Sequence, residues 1–318
     1  MTDGIKDRGA ALILFGAFQI LLGVAALCML FGFAAAVELQ SRHGSPAAPM
    51  PMGAVVSNVI FYAVAAAYFF TAGVGSIRKR RWARALSLVV SAMWLVLGIL
   101  CVAAVAILAP HLMVLISPSQ TNAFFAIIFI TLAVAGILLP LVLVAFYRGP
   151  NVKATCEAAD PVIRWTDRVP LPIVALVLMM GYGAASMLAT ATYGVIPLFG
   201  TIVTGAPAVI TVVAFAGLFG YLSVQLFRMK RSAWWTVVLL HVIGGVAGAF
   251  TLFRTDMDKL YAQMGIVTPQ FRAMNFGSIY RDPLLWALMA VCWAAMLAYL
   301  IWTRRFFDAL PPRTRAGD

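Results

Sequence analysis

The sequence predicts an all-α fold: a polytopic membrane helix bundle of about eight transmembrane helices in two parallel four-helix repeats, with both termini in the cytoplasm. Three observations predict it: long apolar runs, an uneven distribution of basic residues and a repeated layout of the two halves. Of the 318 residues, 63% are hydrophobic and only 11% are charged, whereas soluble domains have roughly 45–50% apolar and about 25% charged residues. This composition excludes a water-soluble globular, disordered or disulfide-scaffold protein.

Eight apolar runs are long enough to cross a bilayer, which takes about 20 mostly apolar residues. They lie at about 10–36, 54–77, 85–109, 121–147, 170–193, 205–227, 233–253 and 284–303. Only helices and closed barrels can span lipid, because lipid offers the backbone no hydrogen-bonding partner. Barrel strands are about ten residues long and alternate in polarity. These runs are twice that length and do not alternate, so the sequence predicts helices.

The first run has some features of a signal peptide. Lys6 and Arg8 precede it, and Ala34–Ala36 offer a small-residue cleavage site. However, the apolar part of a signal peptide is about 7–15 residues long, whereas this run has about 27 residues. We therefore expect a retained helix.

Basic residues concentrate on one side of the predicted topology. The N-terminus, the C-terminal tail and the loops near 77–84, 148–169 and 228–232 hold 18 of the 23 Lys and Arg residues. The positive-inside rule then places this side in the cytoplasm and the chain in a cell inner membrane. The net charge of +12 is thus explained without a nucleic-acid partner. The same residues predict an attraction to the anionic headgroups of membrane lipids at the cytoplasmic face.

The two halves of the chain share a layout that suggests an internal duplication. Basic residues of the predicted 2–3 turn (Arg78, Arg80 and Arg81) recur 150 residues later in the 6–7 turn as Arg228, Lys230 and Arg231. We expect a first repeat at 1–155, a second repeat at 156–310 and a disordered tail at 311–318. The alternative is that any membrane protein has basic cytoplasmic turns with aromatic neighbours.

Two loops carry further signals. The 148–169 loop is the most polar stretch, and its carboxylates could pair with the basic turns. In the external amphipathic loop 254–283, Asp256 or Thr255 could cap a short helix that ends near Gly265. Thr268 and Pro269 look like the start of a second short helix. Such helices could lie on the lipid interface or cover a cavity between the halves.

Ionisable residues inside a membrane are the usual functional candidates, and this chain has few. The candidate polar intramembrane positions are Gln19, Asn58, Gln225 and His241. A lone histidine such as His241 more often hydrogen-bonds to a neighbouring helix than binds a ligand. The sequence has no paired His with metal-ligand spacing and no GxSxG, so we expect no catalytic residue, no metal and no cofactor.

These observations favour a non-catalytic scaffold or accessory membrane subunit. Gly244 and Gly248 form a GxxxG pattern, which allows close helix contact with a membrane protein partner or in a homo-oligomer. The alternative is a transporter or carrier of a small apolar or lipid-like solute that uses the interface between the repeats. A cleft between the halves lined by the four polar positions would favour the carrier. An intramembrane enzyme ranks last, because the sequence has no acid–base or metal constellation.

Overall fold

The computed structural model describes residues 6–42, 52–113, 118–266 and 276–308. Within these residues, eight helical spans are long and apolar enough to cross a membrane, which confirms a multi-pass helical membrane protein. The spans are α1 (Gly9–Arg42), α2 (Met52–Ile77), α3 (Arg81–Leu112), a composite span of α4 (Pro118–Thr131), a π-helical segment (Leu132–Leu138) and α5 (Leu139–Arg148), then α8 (Leu171–Ala191), α9 (Ala206–Phe227), α10 (Arg231–Arg254) and α13 (Pro283–Asp308). The short helices are α6 (Pro150–Ala159), α7 (Trp165–Arg168), α11 (Met257–Gln263) and α12 (Phe276–Ile279). No predicted helix end differs from these bounds by more than six residues.

The composite span contains a π-helical segment with a local cause. Pro140 has no N–H to donate to the carbonyl of Gly136, four residues earlier, so the regular α-helical pattern is interrupted here. Gly136 lies against Gly98 of α3, where an added Cβ would collide with the Gly136 carbonyl. The composite span and α3 therefore approach each other at backbone distance.

Helices α1 and α2 also pack through a pair of glycines. A Cβ added at Gly16 would lie 2.7 Å from the carbonyl oxygen of Gly73, and one added at Gly73 would lie 2.7 Å from the carbonyl oxygen of Gly16. Close contact through small residues is the usual way in which helices associate in lipid.

Two tight turns, 78–80 and 228–230, lie at the same end of the bundle, which we name the basic face. Lys79 and Met229 occupy the same place in their turns, and both have φ of +54°. The amide that follows each of them donates to the carbonyl five residues earlier, at 2.8 Å in the first turn and 3.0 Å in the second. This is the hydrogen bond of a Schellman motif, so the two turns have the same backbone geometry.

The polar linker between the halves is helical at the basic face. It contains α6 and α7, and the boundary predicted between residues 155 and 156 lies inside α6. The Thr155 hydroxyl accepts a hydrogen bond from the backbone N–H of Arg8 at 3.1 Å. The linker is thereby tied to the start of α1.

The opposite end of the bundle departs from the all-α prediction. Residues 194–204, which lie between the predicted spans 170–193 and 205–227, form a hairpin of β1 (Val195–Leu198) and β2 (Thr201–Thr204). The reason is local, because all four residues of β2 and the first two of β1 are β-branched, and glycines with positive φ, Gly194 and Gly205, flank the hairpin.

The short helix predicted after residue 255 is present as α11. The Asp256 carboxylate accepts from the backbone N–H of Lys259 at 3.1 Å, and Gly265 follows with φ of +74°. Its buried residues Met257 and Leu260 pack in one cluster with Val195 of the hairpin, so this face of α11 meets protein. The second helix predicted from Thr268 and the tail 311–318 lie outside the described residues.

Apolar side chains form two main cores. The larger joins α8, α9, α10 and α13 with part of α3, and the smaller joins α1, α5 and α6. Their fully buried members include Ile173, Leu176, Leu226 and Leu300 in the larger core, and Leu12, Leu143 and Cys156 in the smaller. The larger core centres on the second half of the chain, but it also holds the first half through α3.

Candidate functional site

A group of buried polar side chains joins four helices of the first half. Gln19 of α1, Ser76 of α2, Ser87 of α3 and Tyr147 of α5 are each at most 1% exposed. The Gln19 amide Nε2 donates to Ser87 Oγ at 2.9 Å, and its Oε1 lies 3.1 Å from both Ser76 Oγ and the Tyr147 hydroxyl. Those two hydroxyls are 2.9 Å apart. We name this group the polar node.

The polar node satisfies its own hydrogen-bonding groups. The amide of Gln19 both donates and accepts, and each hydroxyl has at least one partner inside the node. A buried polar network that is fully paired fixes the relative positions of its helices. The node therefore acts as a clamp on α1, α2, α3 and α5.

The second half has apolar residues where the node would be. Leu226 and Val237 stand 150 residues after Ser76 and Ser87. Both are buried in the larger apolar core. The bundle can thus be packed at these two places without polar groups.

The carbonyls of Tyr147 and Leu300 accept similar hydrogen bonds, each from the third span of its own half. Arg84 Nη1 donates to the carbonyl of Tyr147 at 3.2 Å, and Trp234, 150 residues after Arg84, donates from Nε1 to the carbonyl of Leu300 at 3.0 Å. Leu300 is fully buried in the larger core. Three of the four node positions are thus matched by buried apolar residues in the described part of the second half.

The other predicted polar positions do not join Gln19. The Asn58 amide Nδ2 donates to the carbonyl of Ala54 in its own helix at 2.9 Å. His241 pairs with Trp293 of α13 at 3.0 Å, which is the interhelical bond expected of a lone histidine. Gln225 is buried, and its Oε1 has no hydrogen-bond partner among the described residues. The four positions thus lie in four separate environments.

Sequence analysis missed three of the four node residues. Ser76, Ser87 and Tyr147 lie in or beside apolar runs, where hydroxyls usually bond to a backbone carbonyl of their own helix, as Ser57 does with Gly53 at 2.7 Å. The one available signal was Gln19, because a buried amide needs partners. Its partners depend on helix rotation, which the sequence alone does not give.

Carboxylates of the linker hold the first basic turn. Asp160, which is 1% exposed, pairs with Arg164 at 2.8 Å and with Arg80 at 3.5 Å. Hydrogen bonds from Arg164 hold the pKa of the Asp160 carboxyl below its usual value, and the Arg80 charge acts in the same direction. Asp167 pairs with Arg81 at 3.6 Å. The charges of Arg80 and Arg81 are therefore partly neutralised within the protein.

The remaining basic residues of the two turns have fewer ion-pair partners. Arg231 pairs with Asp308 at the end of α13 at 3.2 Å. Arg78, Arg228 and Lys230 have no ion pair within the described residues, and Arg78 and Arg228 occupy matching places in the two turns. These are the predicted surface residues that remain available to a headgroup.

A groove lies at the first basic turn. It has a volume of about 370 Å³ and is lined by the apolar side chains of Phe70, Val74 and Trp82, with Arg78 and Arg80 at one end. Gly75 forms part of its wall, and a Cβ there would lie 2.6 Å from Ala83 Cβ and 2.9 Å from the Trp82 ring. Trp82 therefore lies against α2 because residue 75 has no side chain. We name this feature the Arg78 groove.

Metal-ligating and nucleophilic groups are not brought together in the part of the chain that the structure describes. Those residues contain no group of three or more His, Cys, Asp and Glu that could hold a metal ion. Cys156 of α6 is fully buried, and burial raises the pKa of its thiol to about 11. The thiol is therefore protonated at neutral pH and a poor nucleophile.

No known protein family, curated protein or solved structure matches this chain.

Proposed function

We propose that this protein is a non-catalytic scaffold or accessory subunit of the inner membrane, with both termini in the cytoplasm. The observation that carries the proposal is the polar node. Four buried polar side chains of the spans bond to one another and hold four helices together. Polar groups used in this way stabilise a fixed helix arrangement, which suits a protein that presents a constant surface to another subunit.

The positions of the other polar residues support the scaffold over the carrier. A carrier of an apolar or lipid-like solute would place Gln19, Asn58, Gln225 and His241 along one cleft between the halves. Instead, Asn58 bonds within α2 and His241 bonds to α13, and Gln19 lies in the node. Of these four side chains, Gln225 alone has a buried polar atom without a hydrogen-bond partner in the described part of the chain.

We further infer that the two halves are parallel repeats that arose by duplication. Both turns of the basic face have a left-handed residue at the same position, 150 residues apart. Arg84 and Trp234, also 150 residues apart, each donate to a backbone carbonyl of the last span of their own half. A Schellman turn is common at helix ends, so the long-range contact that recurs at the same spacing is the stronger support for duplication.

The test compares assembly with transport. The full chain is extracted from its native membrane in polymer nanodiscs, and the mass of the particle is measured against the 34.2 kDa of the single chain. In parallel, the purified protein is reconstituted into liposomes, and the movement of a fluorescent phospholipid between leaflets is followed. We expect a stoichiometric complex with another membrane protein and the same lipid movement as in empty liposomes.

Two results would overturn the proposal. Lipid movement that requires the protein would favour the carrier. A single chain recovered without any stoichiometric partner, at native expression levels, would remove the scaffold role whatever the liposomes show.

A further inference from the structure

The Arg78 groove combines two chemistries at the membrane surface. Its walls are the apolar side chains of Phe70, Val74 and Trp82, and its charged end is formed by Arg78 and Arg80. Val74 is 41% exposed, so the groove opens outward from the bundle, towards the space that lipid fills. The apolar walls suit an acyl chain, and the basic end suits a lipid phosphate.

Of the two basic residues that line the groove, Arg78 is the one without an ion pair in the described chain. Asp160 lies 3.5 Å from Arg80, and Asp167 lies 3.6 Å from Arg81. Arg78 is exposed and has no carboxylate within ion-pair distance in the described chain. An anion at the groove would therefore be held mainly by Arg78, with Arg80 shared between the anion and Asp160.

The second turn supplies an internal comparison. It has the same backbone geometry, and its Arg228 is exposed and without an ion pair in the described chain. However, Gly220, Gln225 and Ser232 stand where the first turn has Phe70, Gly75 and Trp82. The second turn thus has the charge of the first without the aromatic walls.

We propose that the Arg78 groove binds one anionic phospholipid of the cytoplasmic leaflet, with the phosphate at Arg78 and Arg80 and an acyl chain against Phe70, Val74 and Trp82. A single basic residue near a membrane surface contributes a few-fold in affinity through charge alone. The groove adds apolar contact next to that charge, so binding is selective for this turn. The second turn attracts anionic lipid only as any basic surface does.

The test is native mass spectrometry of the full chain in detergent micelles to which phosphatidylglycerol or phosphatidylethanolamine is added. We expect one tightly held phosphatidylglycerol per chain and much weaker retention of phosphatidylethanolamine. Arg78→Gln should lower phosphatidylglycerol retention by about fivefold, and Arg78→Lys should restore most of it. Val74→Trp, which fills the groove and leaves the charge unchanged, should lower retention to a similar degree.

Arg228→Gln is the matched control, because it removes the same charge at the same turn position, where Gly220 and Ser232 replace Phe70 and Trp82. Retention should change by less than about twofold. Equal losses in Arg78→Gln and Arg228→Gln would reduce the effect to surface charge and overturn the proposal. Unchanged retention in both Arg78→Gln and Val74→Trp would overturn it as well, as would displacement of the lipid by inorganic phosphate alone.

Discussion

His241 of α10 and Trp293 of α13 each bond to the other's backbone. The indole Nε1 donates to the His241 carbonyl at 3.1 Å, and the imidazole Nε2 lies 3.0 Å from the Trp293 carbonyl oxygen. The two rings stack with centroids 5.6 Å apart and planes 14° from parallel. A carbonyl oxygen only accepts, so Nε2 carries the proton. This pair is one of the polar contacts that join α10 to α13, and the bond from Trp234 Nε1 to the Leu300 carbonyl is another.

The reciprocal bonds should make the two residues energetically dependent on each other. Trp293→Phe removes the indole donor, and His241→Phe removes the imidazole donor, while both retain an aromatic ring. Each should lower the free energy of unfolding by about 1 kcal/mol, as interhelical hydrogen bonds in membranes do. Unfolding by denaturant in mixed micelles measures this, and the double variant should lose less than the sum of the two. Strict additivity would show that the two bonds act independently.

Two adjacent glycines of α10 should respond differently to the same substitution. A Cβ at Gly245 would collide with Trp293 Nε1, whereas a Cβ at Gly244 meets nothing within 4 Å. Gly245→Ala should therefore destabilise the protein by about 1–3 kcal/mol through overpacking. Gly244→Ala should be neutral or slightly stabilising, because alanine favours helix more than glycine does. Thermal unfolding of the two variants under one set of conditions tests this, and equal midpoints would contradict the placement of Trp293.

The polar node should be replaceable as a unit but not in part. Gln19→Leu leaves three buried hydroxyls with fewer partners and should cost about 2 kcal/mol of stability. A second variant replaces every polar side chain of the node, by Gln19→Met, Ser76→Leu, Ser87→Val and Tyr147→Leu. The last three substitutions copy the apolar residues of the second half, and the loss of the Tyr147 ring makes room for the leucine at position 76. This variant should recover most of the lost stability in chemical unfolding. If it remains as unstable as Gln19→Leu, the second half is not a valid guide to packing in the first.

Asp160 should make stability depend on pH at the acid end. Its pKa is lowered in the folded protein, relative to about 3.9 in an unfolded chain. The stabilisation is therefore fully present above the unfolded pKa and is lost as the pH falls through the folded pKa. Asp160→Asn should be about 1–3 kcal/mol less stable than the natural chain at neutral pH, because Arg164 loses a charged partner. The two proteins should converge in stability as the pH falls below the folded pKa of Asp160, and a difference that persists at that acid limit would contradict the role of the carboxylate charge.

Cys156 should resist alkylation in the folded protein. Its thiol is fully buried, and its pKa is about 11, so little thiolate forms at neutral pH. Lys153→Cys offers a control in the same helix, because the Lys153 side chain is 56% exposed. Iodoacetamide should modify the introduced cysteine at least about a hundredfold faster than Cys156. Similar rates in folded protein would show that the linker opens readily.

The spans were predictable because a bilayer imposes both length and composition on a helix. The hairpin at Val195–Thr204 was not, since its strands are four residues long and as apolar as the spans on either side. One residue of the polar node was predictable, because Gln19 stands out in an apolar run. Ser76 and Ser87 were not, because they resemble any small residue at a helix contact. The ion pairs of Asp160 and Asp167 were predictable in part. The polar linker indicated that its carboxylates pair with the basic turns, but it did not indicate which residues pair.

The matching geometry of the two turns has a consequence for experiments on this chain. Residues 74–82 and 224–232 share a backbone path and differ in side chains, so one segment can be grafted in place of the other with the φ of +54° preserved at its centre. Such a chimaera would move one aromatic wall of the groove, Trp82, to the other half without altering the length of any helix. The second turn thus serves as an internal control for the first, because both turns are present in the same polypeptide and are measured under the same conditions.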